Sequence, residues 1–182
     1  MNRPFRTLAP LAALALALAA PAPAEIKAYD LRGMLAEAGG CVFGRIVDKK
    51  VQRVVHPQDG ELYFTSIFVE GECLLSGKEL AVEIKYMGGF VDDEHGAYNS
   101  EAPSEDATRI GRRVVAFYGW VDKMGGGVSG NQLWAMHGGL FTSFERRGRT
   151  VVQGRGAGYA ISCNCALPAL REDVRRAAQR AK

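Results

Sequence analysis

From Cys41 onward the apolar residues of this chain follow a period of two, and that period restricts it to sheet. The clearest case is Glu79 to Met87, where Leu80, Val82, Ile84 and Tyr86 alternate with Glu79, Ala81, Glu83 and Lys85. Such alternation describes a strand buried on one face only. Arg112 to Asp122 differs in being apolar on both faces, through Val114, Val115, Phe117, Tyr118, Trp120 and Val121. A strand with two apolar faces belongs in the middle of a structure. Cys41 to Val55 and Glu61 to Cys73 read as two long strands around the turn His56-Pro57-Gln58-Asp59-Gly60. Shorter strands follow at Gln132–His137, Leu140–Glu145 and Thr150–Gln153, after a glycine-rich turn at Gly125–Asn131.

Helices are expected only at the two ends. Asp30 can cap a helix from Leu31 to Ala38, with Gly39-Gly40 as its stop. The tail from Pro168 to Lys182 carries Leu170, Val174 and Ala177-Ala178 at helical spacing, opposite a strongly basic face. Long strands with glycine at interior points (Gly44, Gly71, Gly119) fit chains that bend around a small barrel. The expectation is a mainly β protein: a small antiparallel Greek-key barrel of the oligonucleotide/oligosaccharide-binding type, with a short N-terminal helix and a C-terminal amphipathic helix. A β-sandwich is the alternative.

The first 24 residues stand apart. Arg3 and Arg6 precede the apolar run Leu8–Ala20, which ends at Ala22-Pro23-Ala24. This is the layout of a secretory signal peptide cleaved after Ala24, and the run is too short to span a bilayer. Residues 25–182 then form a single domain, secreted or periplasmic. The leader holds two arginines and no acid, so the remainder is close to neutral and is not built for a polyanion. Basic clusters at Arg146, Arg147, Arg149 and Arg155, and along the tail, read as solvated surface. An exported chain with four cysteines, Cys41, Cys73, Cys163 and Cys165, implies two disulfides. Joining Cys163 to Cys165 would close a strained ring, so each is expected to bond a distant partner and tie the start of the domain to its C-terminal segment. Their spacing is not that of a zinc site.

Gly88 to Gly111 is a long loop without apolar period, and long loops in compact domains are often functional. Asp92 to Asp106 holds six acids and no Lys or Arg. The candidate contact residues are Asp92, Asp93, Glu94, His95 and Tyr98 in this loop, with Trp134 and His137 beyond it. His56, His95 and His137 share no metal-binding spacing, and the acidic run is not an EF-hand loop. Ser129 lacks the frame of a nucleophile elbow, and the glycine repeats do not sit between a strand and a helix. No catalytic residue, metal or cofactor is assigned.

The motif order Val42-Phe43-Gly44-Arg45-Ile46-Val47, Tyr63-Phe64-Thr65 to Val69, Leu74-Leu75-Ser76-Gly77, Lys78 to Ile84, Gly88-Gly89, Gly111 to Phe117 and Gly139-Leu140-Phe141 resembles a group of uncharacterised exported bacterial barrel proteins. It is more distantly similar to netrin-like domains, the barrel class of the tissue inhibitors of metalloproteinases. That resemblance implies an exported interaction module, of a kind that can restrain a protease. Those inhibitors chelate zinc through an N-terminal Cys, whereas this chain after cleavage begins Glu25-Ile26 and Cys41 is internal. The expected function is therefore a non-enzymatic exported barrel that binds another exported or envelope protein through loop 88–109. No nucleic acid and no stable membrane insertion after cleavage are expected. The alternatives are a protease-inhibitor-like module and a metal-dependent hydrolase. An exposed aromatic patch beside the acidic loop would favour binding; His95 or His137 converging with that loop in one pocket would favour an enzyme.

Overall fold

The computed structural model describes residues 28–179. The expected leader and its expected cleavage point, with the last three residues of the tail, lie outside the described residues. Helix α1 (Leu31–Ala38) starts where the Asp30 carboxylate accepts the Gly33 N–H at 2.7 Å, and Gly39 ends it at φ 78°. Strands β1 (Gly40–His56) and β2 (Gly60–Cys73) form a long hairpin, and β3 (Glu79–Met87) lies beside β2. The chain then crosses to β6 (Arg113–Gly125), carrying the small hairpin β4 (Gly89–Phe90) and β5 (Gly96–Ala97). Strands β7 (Val128–Leu133), β8 (Leu140–Arg146), β9 (Arg149–Val152) and β10 (Cys165–Ala166) lead to helix α2 (Leu167–Gln179).

Five strands close the barrel in the order β1-β2-β3-β7-β6 and back to β1, where Gly40–Arg45 pairs with Arg113–Tyr118. The expected small barrel with its two flanking helices is the observed fold. One seam departs from the antiparallel expectation: β3 and β7 run parallel, joined through Lys85 and Gln132. A ring of five strands cannot alternate direction all the way round, so one parallel contact is unavoidable. Beyond the ring, β8 extends the sheet from β6, and β9 and β10 follow it outward.

Apolar residues on both faces of β1 and β6 serve two cores. Val42, Ile46, Val114 and Ala116 point into the barrel with Ile67, Val69, Ile84 and Leu133. Cys41, Phe43, Val115 and Phe117 point outward into a second cluster, covered by Met34 and Leu35 of α1 and Leu167, Leu170 and Val174 of α2. The pleat alone separates these sets. Gly44 and Gly71 face one another in the β1–β2 register. A Cβ on Gly44 would stand 2.3 Å from the Glu70 carbonyl oxygen, so the strands approach as closely as they do only because both residues are glycine.

Several expectations need correction. The four cysteines are free thiols, and no disulfide ties the start of the domain to its end. Cys73 pairs with Val42, so the pleat directs it to the face opposite Cys41, while Cys163 and Cys165 are separated by one residue. Packing of α1 and α2 over the outer cluster, with Arg171 of α2 bonded to Glu72 of β2, makes the connection instead. Loop 88–111 is not without structure, since β4 and β5 pair within it. The glycine turn is shorter than expected, because Gly130 and Asn131 belong to β7. The strand expected to reach His137 stops at Leu133; Met136–Gly139 is a 3-10 turn, entered through left-handed Ala135 (φ 51°) and Met136 (φ 49°).

Candidate functional site

The crossing from β3 to β6 leaves the sheet abruptly. Gly88 and Gly89 have φ of 102° and 125°, and Thr65 Oγ1 donates to the Gly88 carbonyl at 2.6 Å. A Cβ on Gly89 would lie 2.3 Å from that hydroxyl, so glycine lets the chain fold back against β2. The β4–β5 turn is built by Asp92. Its Oδ1 accepts the N–H groups of Glu94 (2.9 Å) and His95 (2.8 Å) and lies 2.9 Å from His95 Nδ1. The Glu94 N–H, then the His95 side chain, hold the Asp92 carboxyl below the ordinary carboxylate range. Asp92 and His95 are thus occupied in shaping the hairpin.

Beside the exposed acids at its tip, the hairpin displays apolar side chains. Phe90 is 57% exposed, Val91 50%, Tyr98 84%, and Ile110, near the end of the crossing, 58%. Two clefts flank Phe90. One, of about 410 Å³, runs between Phe90, Tyr98, Tyr86 and Pro103; the other, of about 560 Å³, between Phe90, Val51, Lys49 and Ile110. Acids later in the crossing are engaged with bases: Glu105 with Lys49 at 3.0 Å, and Asp106 with Arg112. Asp93 and Glu94 stand exposed at the hairpin tip.

His137 forms a second locality. Its backbone N–H donates to the Glu101 carbonyl at 2.9 Å, and its Nδ1 lies 3.1 Å from that same carbonyl oxygen and 3.4 Å from Glu101 Oε2. Arg155 donates to the His137 carbonyl and stacks 4.8 Å over the Tyr159 ring. The imidazole divides two clefts: one of about 440 Å³ lined by Ser100, Ser104, Thr142 and Gln153, and one of about 350 Å³ lined by Tyr29, Met34 and Tyr159. The left-handed Ala135 and Met136 immediately precede it, and non-glycine residues in that region carry strain of a kind that concentrates at functional positions.

The anticipated residues therefore divide. Asp92, Asp93, Glu94 and His95 form the β4–β5 turn and Tyr98 directly follows β5, whereas His137 sits in the 3-10 turn against Glu101 of the crossing. Trp134 is half-buried against the outer cluster and belongs to packing. Among the described residues, no three His, Cys, Asp or Glu side chains gather as metal ligands. Phe90, Val91 and Ile110 were not anticipated. Their signal was present as three apolar residues within an otherwise polar crossing, where no alternation required them. Compared with family models, curated proteins and solved structures, the chain matches none.

Proposed function

We propose that this protein is an exported binding module whose β3–β6 crossing grips a partner protein. The observation that carries the reading is the exposure of Phe90, Val91 and Tyr98 at the β4–β5 hairpin of the crossing. Apolar side chains grouped this way on a closed barrel mark contact sites, and aromatic residues dominate the energetics of such contacts. Open clefts on both sides of Phe90 give a partner's side chains somewhere to enter. The test is affinity capture from the host's envelope and culture fluid, comparing the exported chain with a Phe90→Ser/Tyr98→Ser form. One stoichiometric partner, weakened at least tenfold by the double substitution, is the expected result. Equal recovery by both forms would place the contact elsewhere. A protease as the captured partner would identify the inhibitor-like variant of this reading.

One observation favours a hydrolytic reading instead: His137 meets Glu101 of the acidic crossing beside two clefts. The Glu101 carbonyl oxygen, 3.1 Å from Nδ1, and its carboxylate, 3.4 Å away, together orient the imidazole, as a general base requires. A hydrolase of this kind would lose turnover on His137→Gln while keeping its partner, which separates the two readings.

A further inference from the structure

The β8–β9 hairpin departs from local energetics in two ways. Its two-residue turn is Arg147-Gly148, with φ of 51° and 71°, a geometry that favours asparagine or aspartate before glycine. Arg146 and Arg149 are paired directly across the strands, and like charges in that position repel. Three exposed arginines thus crowd four residues, against the preference of the turn itself. At the foot of this hairpin lies a cleft of about 360 Å³, walled by Ile110 and Phe144 and by Arg109, Arg112 and Arg113. Ile110 and Phe144 are 58% and 40% exposed. The acids here are already engaged: Asp106 lies against Arg112 and, at 3.8 Å, Arg109, and Glu145 pairs with Arg113, so two acids face three arginines at the cleft and none of these pairs reaches the hairpin tip, which leaves the surface positive.

We propose that Arg146, Arg147 and Arg149, with Arg109 and the apolar Ile110 and Phe144, form a surface that docks this protein on an anionic membrane face. The pairing of chemistries identifies the occupant. Arginines match lipid phosphates, and an isoleucine and a phenylalanine among them match the acyl boundary beneath the headgroups. A purely charged polymer would use the arginines and leave the two apolar side chains wet. Among the described residues no helix is long and apolar enough to cross a bilayer.

The test is co-sedimentation of the exported chain with vesicles of phosphatidylglycerol and phosphatidylcholine in equal parts, beside vesicles of phosphatidylcholine alone. Binding to the anionic vesicles only, weakened by salt, is expected. Replacing Arg146, Arg147 and Arg149 together by serine, asparagine and serine should lower the partition coefficient on the order of a hundredfold. Arg147→Asn alone suits the turn, so the protein stays folded, and should lower it roughly fivefold. Phe144→Ser should weaken binding while leaving its salt dependence intact. Indifference to lipid charge, or no effect of the arginine substitutions, overturns the proposal. So does binding to soluble heparin with none to vesicles, which would assign the surface to a polyanion.

Discussion

Single residues of one type meet different environments here, and the cysteines show it best. Burial pushes the Cys41 thiol well above its ordinary pKa, with the neighbouring Cys73 adding to the effect. Burial also raises Cys165. At Cys73 burial acts upward too, but hydrogen bonds from the Ser76 side chain and from the Ser76 and Leu75 N–H groups outweigh it and hold the thiol low. The thiolate is the reactive form, so Cys73 should alkylate through a pH midpoint below that of an ordinary thiol. Cys41 should stay unlabelled until the protein unfolds. Iodoacetamide labelling followed by peptide mass spectrometry across a pH series checks both; labelling of Cys41 at the rate of Cys73 would contradict the assignment. The sequence showed an even count of cysteines but not their placement: Cys41 and Cys73 stand on neighbouring strands, Cys165 on the last short strand and Cys163 outside any strand. His95 was similarly visible as a histidine among acids. Its engagement by Asp92 depends on a turn that composition does not specify.

Elements with a sustained period were legible, and those without one were not. Strand β3 could be read residue by residue because one face is wet, and the first half of β6 because neither face of Val114–Phe117 is, whereas Trp120, read as apolar interior, is 66% exposed. Helix α1 was legible from its cap and its stop. Strands β4 and β5 are two residues each and carry no period at all. The 3-10 turn at Met136–Gly139 was hidden for a different reason: Ala135 and Met136 are not residues that ordinarily enter the left-handed region. It is held where Gly139 packs against the Trp134 carbonyl, at a distance that a Cβ would violate. The facing glycines of β1 and β2 give the sharpest test at this scale. Gly44→Ala would drive a methyl group into the Glu70 carbonyl and force the strands apart. It should cost about 2 kcal/mol, in the range of core overpacking, and lower the melting temperature by roughly 4–8 °C. Gly148→Ala, at an open turn with nothing within 4 Å, should show only the smaller backbone penalty of its positive φ. Scanning calorimetry distinguishes the two.

The whole molecule is a barrel wrapped on one side by the two ends of the described chain. Sequence pattern conveyed the barrel because its long strands and interior glycines recur over the chain. It did not convey the parallel seam, which rests on the single pair Lys85 and Gln132 and leaves no periodic trace. The outer core is as essential as the inner one. Leu170 of α2 is 2% exposed within it, and Leu170→Ala should cost about 3 kcal/mol, lowering the melting temperature by roughly 6–12 °C. Urea denaturation should show that loss as a shifted midpoint with an unchanged slope, because β1 and β6 contribute to both cores and couple the helix to the barrel. The same wrapping governs when the protein can fold at all. Strand β1 is made early, but its second edge waits for Arg113–Tyr118, and its outer face stays bare until Leu167, Leu170 and Val174 arrive. A chain delivered N-terminus first, from a ribosome or through a translocation pore, therefore cannot settle piecemeal. It stays open and threadable until nearly all of it has emerged, and then closes in a single late event.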